Sequence, residues 1–239
     1  MTYVISDIHG QYDLFMNLLK KIRFSDSDTL YVLGDILDRG PHPVKTLLKI
    51  MEMPNVICLV GNHELMALDC LEFLMKEITE ESIKELGAEN ANNILSWLRN
   101  GSRATIKEFR ELDDEQRNEV IEYIRNMLVY EELEVAGKKY LLVHAGLGNY
   151  YPGKEIEDYS IKELIWDRAE YDIKYYEDVY VITGHTPTQR IAGNKRPGYI
   201  YRENNHIAID CGASNRHGRL AAICLDTGEE FYSCRQDVE

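Results

Sequence analysis

Two carboxylates three residues apart, followed at once by an arginine, stand in the stretch Gly34-Asp35-Ile36-Leu37-Asp38-Arg39-Gly40. Carboxylates offer oxygen ligands to a cation, and a planar guanidinium beside them offers bidentate hydrogen bonds to an oxyanion. A metal together with a bound anion is the chemistry this set suits. A capped turn with a surface ion pair would use the same residues, so the stretch needs company. Asp7-Ile8-His9-Gly10 adds one oxygen and one nitrogen ligand, Gly61-Asn62-His63-Glu64 an amide and an imidazole, and His144-Ala145-Gly146 and Gly184-His185-Thr186 one imidazole each. Any one of these turns is weak evidence, since a buried Asp–His hydrogen bond explains Asp7 and His9 equally well. Five of them, each with metal-competent side chains, are not easily explained by packing.

The elements that must position these residues are legible as hydrophobic patterns. Tyr3-Val4-Ile5, Thr29-Leu30-Tyr31-Val32-Leu33 and Val56-Ile57-Cys58-Leu59-Val60 read as short buried strands, each running into one of the polar turns. Alternation out of the first strand points Asp7 and His9 the same way. Helical spacing follows in Leu14, Phe15, Leu18, Leu19 and Ile22, and again in Val44, Leu47, Leu48 and Met51, with Pro43 placed to open the second helix. This β-α-β-α-β run predicts parallel strands with all three turns on one sheet edge. Open α/β sheets bind ligands at that edge. Residues 65–128 read mostly as helix, an inserted layer or cap on a single domain spanning 1–239. From Val129 the period changes to two. Strands at 129–135 and 139–143 are joined at Ala136-Gly137-Lys138, a short helix spans Ile161 to Ile165, and Val179 to Ile182 runs into the His185 turn. The end reads as antiparallel strands at 206–209, 220–225 and 229–232.

Composition narrows the partners. The chain has 239 residues, 44% of them hydrophobic, enough for a sizeable core, and a formal charge of −14. So acidic a surface repels nucleic acid and anionic membrane, and no nucleic-acid or membrane partner is expected. An anionic substrate then needs local positive charge. The five cysteines form no Cys-x-x-Cys pair and read as reduced, buried thiols. The first strand reaches Asp7 at once, which leaves no room for a signal peptide, and a cytoplasmic location is expected.

In order, Asp7-Ile-His9-Gly, Gly34-Asp-x-x-Asp38-Arg39-Gly, Gly61-Asn62-His63-Glu, His144-Ala-Gly and Gly184-His185-Thr resemble the calcineurin-like metallophosphoesterase signature. In particular they resemble its phosphoprotein phosphatase branch, which includes the small phage and bacterial serine/threonine phosphatases. The resemblance implies an α/β fold, a β-sandwich of mixed sheets flanked by helices with a helical insertion. It implies a two-metal site: Asp7 and His9 on the first metal, Asn62, His144 and His185 on the second, Asp35 bridging. Mixed oxygen and nitrogen ligands suit two divalent or trivalent transition metals, manganese first, iron or zinc otherwise. A water shared by two such cations loses a proton near neutrality and becomes the nucleophile for in-line attack. Arg39, Arg168 and Asn62 are implied to hold the phosphoryl group. His63 is implied as general acid, with Asp38 on its far nitrogen keeping it oriented and charged, while Glu64 reads as structural.

The activity expected is a metal-dependent phosphomonoesterase acting on phosphoserine and phosphothreonine in proteins, or on a small phosphoester. The alternative is a symmetrical dinucleoside tetraphosphate hydrolase, a sister branch that usually carries Asp where this chain has Glu64. Val60 stands where the protein phosphatases commonly carry Arg, and Ala145 where they often carry Gly, which leaves the macromolecular substrate open. A third alternative is a metal-free binding module with a decayed site. The tyrosine-rich loop between His144 and His185 reads as ordinary packing or, in part, as a wall of the cleft.

Overall fold

The computed structural model describes residues 1–75 and 87–238. The part of the expected helical insertion at 76–86 lies outside the described residues. The helices are α1 (Tyr12–Ile22), α2 (Pro43–Met51), α3 (Asn62–Leu74), α4 (Gly87–Arg99), α5 (Arg103–Glu111), α6 (Asp114–Arg125) and α7 (Ile161–Ile165). The strands are β1 (Thr2–Ile5), β2 (Thr29–Val32), β3 (Val56–Cys58), β4 (Tyr130–Val135), β5 (Lys138–Val143), β6 (Val179–Thr183), β7 (Tyr201–Glu203), β8 (His206–Ala208), β9 (Arg219–Cys224) and β10 (Glu230–Cys234).

The strands form two five-stranded mixed sheets, β10-β9-β1-β2-β3 and β4-β5-β6-β8-β7. The period-2 alternation of side chains decides how they stack. Val4, Tyr31 and Leu33 from the first sheet meet Tyr140, Leu142, Ile182 and Ile207 from the second in one apolar layer. Their neighbours Tyr3, Ile5, Leu30 and Val32 face the other way and bury the apolar stripes of α1 and α2. Leu141, Val143 and Val181 turn outward to Leu147, Ile156, Leu164 and Ile165. The result is a β-sandwich with helices on the first sheet and a long loop with α7 on the second.

The expected parallel run holds: β1 pairs with β2, and β2 with β3, in parallel. In the second sheet β5, β6 and β8 are likewise parallel. The carboxyl ends of all six lie along one edge of the sandwich. Of the C-terminal strands, β9 and β10 pair antiparallel as expected, and the difference lies in β8. β8 joins the second sheet parallel to β6, and its antiparallel partner is β7, a three-residue strand too short and polar to be read from sequence. β9 instead enters the first sheet beside β1.

Candidate metal and phosphate site

Each polar turn is built at the end of one of those six parallel strands. The turns are zipped to one another by backbone: His9 N–H donates to the Asp35 carbonyl at 2.8 Å, Gly10 N–H to Ile36 at 2.8 Å, and Gly184 N–H to His144 at 2.8 Å. The two sheets meet at Gly184, where an added Cβ would stand 2.2 Å from Asp7 Oδ2, so only glycine lets the His185 turn close on Asp7. His185 N–H then donates to Asp7 Oδ2 at 2.9 Å.

Asp7 and His9 do not alternate out of an extended strand as expected. They lie beyond β1 in left-handed backbone, with φ of 52° and 47°. Asp35, Asp38, Arg39 and His185 share that conformation at 53°, 67°, 64° and 61°. Left-handed non-glycine residues cost about 1 kcal/mol or more each and persist where surrounding contacts over-determine them. Glu64 supplies such contacts. Its buried carboxylate accepts the N–H groups of Asp35 (2.7 Å), Ile36 (2.8 Å), Leu37 (3.0 Å) and Gly61 (3.0 Å), four bonds that hold two turns together.

Two imidazoles have their tautomers fixed by backbone. His9 Nδ1–H donates to the Leu37 carbonyl at 2.9 Å, and His144 Nδ1–H to Leu33 at 2.6 Å. A carbonyl accepts only, so Nδ1 carries a proton in both rings, and in the neutral imidazole Nε2 keeps the lone pair a metal would use. Both nitrogens lie beside one carboxylate, from two sides: His9 Nε2, which here accepts from Arg39 Nη1 at 2.7 Å, is 3.6 Å from Asp35 Oδ2, and His144 Nε2 is 3.4 Å from Asp35 Oδ1. Acceptors that face each other in a dry pocket repel unless a cation stands between them. Two groups, His9/Asp35/His63 and Asp35/His144/His185, each bring their ligand atoms within 4.8 Å of one another, and Asp35 belongs to both. Asn62, the first residue of α3, places Oδ1 3.1 Å from His144 Nε2 and 2.9 Å from His185 Nδ1. Asp7 Oδ1 lies 3.9 Å from His9 Nε2. The donor set therefore fits a pair of cations that share Asp35.

Burial shifts these groups in opposite senses, because a dry site disfavours the charged form of each. Burial, with Asp7 and Glu64 nearby, pushes Asp35 well above the carboxylate range. Burial, then Arg39 and His63, pushes His9 well below the ordinary imidazole value, and burial with His144 and Arg168 brings His185 down to about 3.

Asp38 is fully buried. It accepts from His63 Nδ1 at 2.6 Å, Trp97 Nε1 at 2.8 Å and Thr105 Oγ1 at 2.5 Å. Burial pushes its pKa up to about 7, against the Thr105 and Trp97 bonds that pull it down. Three donors suit an ionised carboxylate, so we assign the Nδ1 proton to His63. Arg39 then donates through Nη1 to His9 Nε2 and through Nη2 to His63 Nε2, both at 2.7 Å. Guanidinium cannot accept, so Nε2 of His63 is a lone pair and the imidazole is neutral here, rather than charged as expected. Burial, with Arg39 and His144, pushes its pKa down to about 2.

A cleft of about 510 Å³ opens over this floor. His9, Arg39, Asn62 and His185 line its base, and Trp166, Arg168, Arg190, Asn100, Ser214 and Asn215 stand around it. Arg168 makes no ion pair with Asp167 or Glu170. The tyrosines of the long loop do not line the cleft: Tyr159 and Tyr175 are buried, Tyr150 packs edge-on against Tyr175 with centroids 4.9 Å apart, and Tyr171 stacks on His206. His206 is buried with Nε2 2.9 Å from Thr183 Oγ1, His42 pairs with Glu108 at 3.0 Å, and His217 is exposed.

Three partners of the site were not among the expected residues. Trp97 and Thr105 come from the helical insertion, and nothing in their local sequence marks them. Asp210, just past β8, is buried, lines the cleft and is pushed well above the carboxylate range by burial and by Asp7. Its signal was present, since His206-Ile-Ala-Ile-Asp210 repeats the pattern of an apolar strand entering a polar turn.

The chain belongs to the calcineurin-like phosphoesterase family, which its residues 2–209 match. Two curated relatives bear on which kind. Serine/threonine-protein phosphatase 2 of Salmonella typhimurium (strain LT2) is 29% identical over 214 residues, 88% of this chain and 87% of that protein. The symmetrical bis(5'-nucleosyl)-tetraphosphatase of Baumannia cicadellinicola subsp. Homalodisca coagulata is 38% identical over 101 residues, 41% of this chain and 35% of that protein. Among solved structures, a putative diadenosine tetraphosphatase superposes with a TM-score of 0.66 at 15% identity, covering 97% of this chain and 91% of its own, which establishes the shared fold. Among the described residues no helix is long and apolar enough to cross a membrane.

Proposed function

We propose that this phosphoesterase is a two-metal phosphomonoesterase that removes phosphate from phosphoserine and phosphothreonine in proteins. The observation that carries the reading is the placement of Asp35, one carboxylate oxygen toward His9 and the other toward His144. In this reading Asp7, His9 and Asp35 hold one cation, and Asp35, Asn62, His144 and His185 the other. When bound, manganese, iron or zinc supplies the positive charge and the activated water that attack on phosphorus requires. Arg39 and Arg168 hold the phosphoryl oxygens, a task suited to planar guanidinium, and Asn62 assists them.

His63 delivers a proton to the departing oxygen. Its Nε2 is engaged by Arg39 in this structure, so turning that guanidinium onto a phosphoryl group releases Nε2 to carry the proton. Asp38 holds Nδ1 and stabilises the imidazolium, as a buried carboxylate orients a catalytic histidine. No cysteine nucleophile is needed. Burial pushes Cys58 up to about 12 and Cys70 up to about 11, the opposite of an activated thiol.

The end-to-end similarity to a protein phosphatase, together with Glu64 after His63, favours a protein substrate. The symmetrical dinucleoside tetraphosphate hydrolase is the second reading, favoured by the higher identity, 38%, over the shorter stretch of 101 residues that it matches. An assay with added Mn decides between them. Phosphoserine and phosphothreonine peptides should exceed diadenosine tetraphosphate in kcat/KM, and the reverse order overturns the protein-phosphatase reading. A protein that takes up no Mn and cleaves no aryl phosphate is a binding module.

A further inference from the structure

The cleft holds one arginine more than the reaction uses. A phosphomonoester carries about −1.5 to −2 at neutral pH. Arg39, Arg168 and two cations are enough to neutralise it. Arg190 stands in the same cleft, and its guanidinium has no hydrogen-bond or ion-pair partner among the described residues. Arg117, Arg125 and Arg202 find carboxylates, at 3.1, 2.6 and 2.9 Å, whereas Arg23 and Arg216 carry no ion pair among the described residues either, so it is the position inside the cleft that sets Arg190 apart. Among the described residues the one acid lining the cleft is Asp210, which is buried, accepts from Gly212 N–H at 2.8 Å and makes no ion pair with Arg190.

The base of Arg190 is fixed. It ends the single turn Thr188–Arg190, directly downstream of the His185 turn. Thr188 N–H donates to the Asp210 carbonyl at 2.8 Å, Gln189 Nε2 to the Cys211 carbonyl at 2.9 Å, and Arg190 N–H to Pro187 at 2.7 Å. A free cation on an anchored turn, in a cleft whose wall also carries Arg168 and the neutral polar groups of Asn100, Ser214 and Asn215, suits an anion carried on a polar chain. We infer that Arg190 forms a second anion subsite and selects phosphoproteins with an acidic residue close to the phosphorylated one. The inference rests on the protein-phosphatase reading above.

Two phosphopeptides that differ only in Glu or Gln beside the phosphoserine test it, with an aryl phosphate and diadenosine tetraphosphate as references. The wild-type protein should prefer the Glu peptide by about tenfold in kcat/KM, the scale of one charge-assisted contact. Arg190→Ala should abolish that preference and leave aryl phosphate within twofold, which also reports that the variant is folded. Arg190→Glu should invert the preference toward a peptide with Lys at the same position. Equal loss on aryl phosphate would place Arg190 on the scissile phosphoryl group and overturn the subsite. A loss confined to diadenosine tetraphosphate would overturn it in favour of a phosphate chain. Peptide turnover with no flank preference sinks the subsite alone, whereas aryl phosphate turnover without peptide turnover sinks the protein-phosphatase reading and the subsite with it.

Discussion

The floor of the cleft and its rim are built on different terms. On the floor, Asp35, His63 and His144 are almost completely removed from solvent, and their backbones are tied to neighbouring turns. Their hydrogen atoms are assigned by fixed partners, Leu33 for His144 and Asp38 for His63. At the rim, Trp166 and Arg168 stand exposed just after α7 and Arg190 at the end of the single turn Thr188–Arg190, and the two arginines carry no ion pair among the described residues. The floor keeps left-handed turns and desolvated carboxylates in place, costs that a protein sustains where charge must be stabilised without reorganisation. The rim keeps its charges solvated and free to meet a ligand. On the function proposed above, chemistry sits on strand ends, and choice of substrate on the loops that surround them.

That contrast can be broken in graded steps. Asp35→Asn should have the largest effect, because it touches both ligand groups. We expect activity to fall by about 10³-fold or more, with loss of bound Mn by elemental analysis. A variant that kept its metal and its turnover would remove the distinction between floor and rim. His63→Asn comes next. It should lower kcat by about 10²–10⁴-fold while the Mn content persists, the span of a positioned general acid. If the metal leaves with His63, the residue belongs to the ligand set that its position beside His9 and Asp35 also permits. Trp97→Phe should have the smallest effect of the three. It deletes one of three donors to Asp38, so kcat should drop several-fold, with Mn content and KM for aryl phosphate unchanged. The acid limb of its pH–rate profile should move as well. A change in KM without a change in kcat would place Trp97 at the rim.

Sequence and structure agree best where the relevant contacts are local. β1, β2 and β3, with α1 and α2 between them, were legible because apolar runs bounded by turns need no distant partner to be recognised. The five polar turns were legible for the same reason, as interruptions after those runs. The hairpin at Ala136-Gly137 was readable too, and both residues adopt the positive φ that a tight turn demands, 51° and 72°. The tyrosine-rich loop was legible in part, since ordinary packing was one of its two readings. Its tyrosines serve packing, while the residues that reach the cleft from it, Trp166 and Arg168, follow α7.

What the chain by itself determined is the identity of the groups and their places at strand ends: Asp7, His9, Asp35, Asn62, His63, His144 and His185 each follow an apolar run. Only the tertiary structure decided which of them meet. Asp7 reaches His185 across 178 residues, and Asp38 meets Trp97 and Thr105 across 59 and 67. The physical reason is that side-chain periodicity is a property of a few neighbouring residues, whereas the closure of one sheet on another depends on packing between segments far apart in the chain. The close approach at Gly184 exists only once both sheets are in place, and the bonds from Trp97 and Thr105 to Asp38 only once the inserted helices have packed.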